Sequence, residues 1–175
     1  MSAAPNPDTT RRRVAALGHT VSRRGRLDTR LQAALTARRD AHAQAVARHD
    51  AQRERVELAG DELRAYRERV ARMMSGGSAF QLADLNATMR YADVVAARVQ
   101  QLESELAALE TAMRAAAEEL AAAARALANN RGRMDLCRER IDTLRRSLDQ
   151  HAADEADEDA EETALARLRL MPRPA

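Results

Sequence analysis

The sequence predicts an all-α protein, a long antiparallel two-helix coiled-coil hairpin. Three observations carry that prediction. Strong helix formers dominate the 175 residues, while two Tyr, one Phe and no Trp are too few aromatics for a compact globular core. Apolar residues recur in one heptad register through each half of the chain. Between the halves lies Ser75-Gly76-Gly77-Ser78. Two adjacent glycines cost a helix interior about 2 kcal/mol and supply the φ > 0 conformations of a tight reversal.

Residues 1–10 carry two prolines and nothing to bury, and are expected to form a disordered N-terminal arm. Asp8, Thr9 and Thr10 are N-cap candidates for a helix over 11–74. One seam position of that helix holds Val14, Val21, Asp28, Leu35, His42, His49, Val56, Leu63 and Val70. The other holds Leu17, Arg24, Leu31, Arg38, Ala45, Gln52, Ala59, Tyr66 and Met73. The seam is apolar at its ends and polar from Arg38 to Gln52, so its middle should be held less tightly. Gly18, Gly25 and Gly60 weaken the helix further, at up to about 1 kcal/mol each, which leaves room for a local opening near Gly25; the sequence does not decide whether the helix is continuous there.

After the break at 75–78, Ser78 with Gln81 resembles a capping box, placing the second helix over 79–150. Its seam is cleaner. One position runs from Leu85 through Leu106, Met113, Leu127 and Ile141 to Leu148, and the other from Thr88 through Val95, Leu102, Asn130 and Cys137 to His151. Ten heptads of helix span about 100 Å. The alanine-rich stretch 115–128 is thin and lets a neighbouring backbone approach closely. Helices of matched length joined by a short turn pair most economically antiparallel.

Residues 151–175 read as an acidic, flexible tail. Between His151 and Glu162 there are seven acids and no basic residue, which ends the seam and is expected to fray the helix, although alanine and glutamate could prolong it. Leu165, Leu168 and Leu170, interleaved with Arg167 and Arg169, form a candidate docking turn.

The net charge is only +2, so the chain as a whole is not a polyanion binder. Charge is nonetheless unevenly divided: residues 11–73 hold sixteen Arg against eight acids, and 79–150 hold ten against eleven. The basic residues are densest at Arg11, Arg12, Arg13, Arg23, Arg24, Arg26 and Arg30. In an antiparallel hairpin they are expected to lie beside the acidic tail. A basic segment running into heptads superficially resembles a nucleic-acid-binding zipper. Acids return from Asp28 onward and no aromatics accompany the cluster, which favours a solvated face or a protein-docking surface.

Catalytic apparatus is not evident, and the chain is not expected to be an enzyme or to hold a cofactor or metal. His42 and His49 lie a heptad apart instead of at the i, i+4 spacing of helical zinc pairs, and read as a polar layer. Asn130 reads as a register setter and Cys137 as small core filler. Gly76-Gly77 lacks the Lys and Ser/Thr of a phosphate loop. A single cysteine, with no apolar leader and no run of about 20 apolar residues, fits a cytoplasmic protein without direct membrane insertion. The remaining candidate is the tip: Met73, Met74, Phe80, Leu82 and Leu85 either plug the hairpin end or form an adaptable apolar patch for a partner.

An Arg/Ala-rich, glycine-interrupted hairpin over residues 11–150 resembles the central-stalk proteins of bacterial type III secretion ATPases, the YscO/FliJ type and especially its Hrp-type members. The resemblance implies a non-enzymatic stalk that binds and stimulates a hexameric secretion ATPase and links it to an export-gate protein. It would be cytoplasmic, peripheral at the inner-membrane secretion apparatus. Arg11–Arg30 and Asn130–Gln150 would enter the ATPase pore, and Met73–Leu85 would face the gate. Secretion chaperones are a further implied partner. Two other readings stand beside it. A coiled-coil chaperone or scaffold for secreted substrates would take helices at the polar-centred seam, and a nucleic-acid binder would use the arginines.

Overall fold

The computed structural model describes residues 6–76 and 80–170. Two α-helices, α1 (Pro7–Met74) and α2 (Leu82–Leu170), pack against each other as an antiparallel hairpin, with no strand among the described residues. The expected fold class is therefore the observed one.

The helix ends differ from expectation, for local reasons. The α1 helix starts at Pro7, not near Arg11. Asn6 is its N-cap, with Oδ1 accepting from the Asp8 amide at 2.9 Å, while Thr9 and Thr10 turn their hydroxyls back onto the Asn6 carbonyl. Asn is among the best capping residues and Pro is favoured at the first helical position. Residues 7–10 are thus helical and not part of an arm. The start of α2 comes at Leu82 instead of residue 79, with the Asp84 and Leu85 amides donating to the Gln81 carbonyl. The proposed Ser78 cap lies outside the described residues, as do Gly77, Ala79, the first five residues and residues 171–175. The first glycine of the break, Gly76, has φ +85°, the left-handed conformation expected of a reversal.

The acidic stretch departs most from expectation. It does not fray: α2 continues through it to Leu170. Alanine and glutamate sustain a helix even where no seam exists to bury. Every side chain from Ala152 to Arg167 is exposed. The candidate docking turn is part of this helix, with Leu165 exposed; the side chains of residues 168–170 lie outside the description.

The chain divides into two compact units, the first comprising residues up to Gln32 with those from Arg125 onward, and the second Ala33–Ala124. In the first unit Leu127, Met134, Ile141 and Leu144 of α2 are buried, and α1 contributes the half-buried Val14, Leu17, Val21 and Leu31. In the second, Leu35, Ala45, Ala59 and Leu63 are buried, as is Val95. Every α2 seam position from Leu85 to His151 is buried or half-buried, and on α1 only Arg38 of the seam is exposed. It pairs with Glu119 instead.

Within the polar middle of the seam, Gln52 is covered and paired. Gln52 is 4% exposed, and its Nε2 donates to the Leu102 carbonyl at 3.1 Å and to Glu105 Oε2 at 3.0 Å. A paired amide there costs little, whereas an unpaired one would cost about 1–3 kcal/mol.

Helix α1 is also continuous through Gly25, where no opening occurs. A Cβ built on Gly25 meets nothing within 4 Å, and its φ is not positive. Gly25→Ala is accordingly expected to stabilise the chain by up to about 1 kcal/mol. A rise in the thermal unfolding midpoint checks this; a fall would show that Gly25 meets a packing demand.

Candidate functional site

In the first unit, heptad arithmetic places Arg24 and Asp28 of α1 and Asn130 of α2 on the seam, where apolar residues would otherwise pack. They meet and hydrogen-bond to one another. Arg24 Nη1 donates to Asn130 Oδ1 at 3.3 Å, and Asn130 Nδ2 donates to the Arg24 carbonyl at 3.2 Å and to Asp28 Oδ1 at 3.4 Å. Arg131 adds Nε to Asp28 Oδ1 at 3.2 Å and Nη2 to Oδ2 at 3.4 Å. The Asn130 side chain is 4% exposed, so its interactions decide which residues of the two helices stand level.

The Arg131 hydrogen bonds hold the Asp28 carboxyl below its usual range, against a smaller opposing effect of partial burial. The Asn130 amide and the charges of Arg131 and Arg138 add to the lowering. One polar atom is left over: Arg24 Nε is buried with no acceptor among the described residues. Of the expected arginine contacts, Arg24 is therefore partly committed to the layer.

The others are surface residues. Arg11 pairs with Asp8 at 3.1 Å, and Arg12 and Arg13 are exposed. Arg23, Arg26 and Arg30, at i, i+3 and i+7, share one face of α1. With Arg24, Leu27 and, from α2, Arg133, they line an open recess of about 520 Å³. Sequence reasoning missed Arg133, because only the register across the two helices brings it there. The acidic tail does not lie against these arginines. With Asn130 level with Arg24, the antiparallel register reaches Pro7 near Ser147, so acids 154–162 run on past it. No ion pair joins the two groups among the described residues.

In the second unit the turn presents an apolar surface. Met73 and Leu85 are half-buried, whereas Met74 is 68%, Leu82 67% and Phe80 43% exposed. Met73 and Leu85 lie on the seam, and the other three stand exposed beside the turn. Further along, Val94 and Met89 are exposed, and the Tyr66 and Tyr91 rings pack against each other in a tilted arrangement, with centroids 4.6 Å apart and planes at 53°. The neighbouring Glu62 charge raises the Tyr91 hydroxyl pKa, with Tyr66 adding to the shift.

His49 Nδ1 lies 3.1 Å from Asp50 Oδ1, His42 is half-buried on the seam, and Cys137 is a half-buried free thiol. Among the described residues no three His, Cys, Asp or Glu side chains gather as a metal site. No described helix is long and apolar enough to cross a membrane.

The family model for bacterial type III secretion protein HrpB7 matches residues 12–168, most of both helices and the turn. The chain belongs to the HrpB7 family. Searches of curated proteins and of solved structures give no match. The HrpB7 match continues through acids 154–162, which the hairpin resemblance at 11–150 left unmapped.

Two outcomes follow from the layer. Asn130→Ala leaves Arg24 Nη1 without its acceptor and should cost about 1–3 kcal/mol in urea unfolding, while Arg24→Leu with Asn130→Leu should recover most of the loss. Asp28 has a depressed folded-state pKa, so its contribution is present above the unfolded value near 3.8 and is lost as pH falls through the lower folded value. Asp28→Asn should therefore be less stable than the parent at pH 7, and the gap should close as pH drops below about 4. A gap that stays constant with pH would contradict an ionised Asp28 in the layer.

Proposed function

We propose that this HrpB7-family chain is the non-enzymatic central stalk of a bacterial type III secretion system, binding and stimulating the hexameric export ATPase and linking it to the export gate. The single observation that carries the reading is the arginine face of the first unit: guanidinium groups exposed on a two-helix scaffold whose seam is already filled. A narrow pair of helices suits the pore of a ring, and a basic surface favours a lining rich in carboxylates. The arginine-bearing unit takes the ATPase contact. The exposed Met74, Phe80 and Leu82, gathered beside one turn, take the gate contact, since clustered apolar surface is where partners dock. The stalk works in the cytoplasm, at the inner-membrane apparatus.

The chaperone alternative, helix addition at the polar seam, is disfavoured by Gln52 and Ala45, which α2 already covers.

Titrating the chain into its cognate hexameric ATPase should raise ATP hydrolysis to a plateau. Phe80→Asp with Leu82→Asp should keep that stimulation and the helix content while abolishing capture of the gate protein. An unchanged hydrolysis rate at saturating chain, with no co-purification, contradicts the stalk.

A further inference from the structure

The arginine recess has a chemical selectivity that the stalk reading does not specify. Arg23, Arg26, Arg30 and Arg133 are exposed, and none has an ion pair or a side-chain hydrogen bond among the described residues. Their neighbours differ: Arg131 is committed to Asp28, and Arg138 to Asp135 at 3.0 Å. The recess lining includes no carboxylate. Like charges gathered on one face repel one another, and a carboxylate ligand relieves that repulsion while accepting from the guanidinium forks.

Leu27 sets the second requirement. It lies within the arginine face, lines the same recess and is 41% exposed. A purely ionic ligand would leave this leucine wet, whereas a peptide side chain would cover it. Spacing sets the third. Arg23, Arg26 and Arg30 climb two helical turns, about 10 Å, which matches carboxylates placed every three or four residues on a facing helix. No aromatic lines the recess, so stacking of bases has no platform there.

We propose that the recess formed by Arg23, Arg26, Leu27, Arg30 and Arg133 docks a short acidic helix of the partner, with carboxylates at three- or four-residue spacing around one apolar side chain. The inference rests on the stalk reading for the identity of the partner, but its chemistry can be tested separately. Arg24 is not counted among the contacts, because its guanidinium reaches Asn130 and its Nε is buried.

The probe is a fluorescent helical peptide carrying glutamates at that spacing around a single leucine, titrated into the full chain and followed by anisotropy. Binding should weaken with salt. It should fall about tenfold or more with Arg26→Glu and Arg30→Glu together, and several-fold when Leu27 or the peptide's leucine becomes alanine. Far-UV dichroism checks that these exposed substitutions leave the helices intact. Equal binding of the leucine-free peptide, or tighter binding of polyphosphate or DNA, overturns the proposal. A second assay separates it from the stalk reading. If the parent chain stimulates the ATPase and the Arg23→Glu, Arg26→Glu, Arg30→Glu chain stimulates it equally, the stalk stands and the recess does not dock the ATPase. If the parent gives no stimulation while the peptide results hold, the recess stands and the stalk falls.

Discussion

A pair of helices can bury one stripe of each and nothing more, and this constraint governs every other feature of the molecule. No described side chain is fully buried. Even the best covered apolar residue, Val95, keeps 3% of its surface exposed. Each buried leucine or valine contributes about 1.5–3 kcal/mol at most, so the fold depends on an unbroken succession of seam residues and not on a central core. A polar residue in that succession must bring its own partner. Gln52 finds the Leu102 carbonyl and Glu105, and Asn130 finds Arg24 and Asp28. These interactions tie particular residues of the two helices together, where an all-apolar seam would permit sliding by a heptad.

The same geometry explains why the candidate sites are surfaces. Two helices cannot enclose a pocket that desolvates a catalytic group, but they display long faces whose composition is free to vary. In the first unit that freedom produces an arginine face with a leucine in it, in the second an apolar patch beside the turn. Membership of a type III secretion family gives such faces a setting in an assembly of many proteins.

The fold was legible because period is the strongest signal a sequence carries: of the seam residues named from heptads alone, all but Arg38 are buried or half-buried. Boundaries were less legible. Asn6 capped the helix before Asp8 could, and the acids after His151 remained helical because alanine and glutamate need no partner to favour that state. The arginine cluster was visible as composition, but Arg24 and Arg133 exchanged roles once α2 was in place. Only cross-helix register determines which arginines face the seam partner and which face solvent. The same register carried the acidic stretch past the arginines it was expected to cover.

The central claim is that α1 and α2 of one chain pair with each other, level at Arg24 and Asn130. Electron-spin distance measurement tests it directly, with labels at the exposed Arg26 and Arg133 positions and Cys137 replaced by alanine. Axes of packed helices lie 8–10 Å apart, so the labels should give one narrow distribution at roughly 20 Å, unchanged when labelled chain is refolded with excess unlabelled chain. A distribution that is broad, or that disappears on dilution with unlabelled chain, would contradict pairing within one chain.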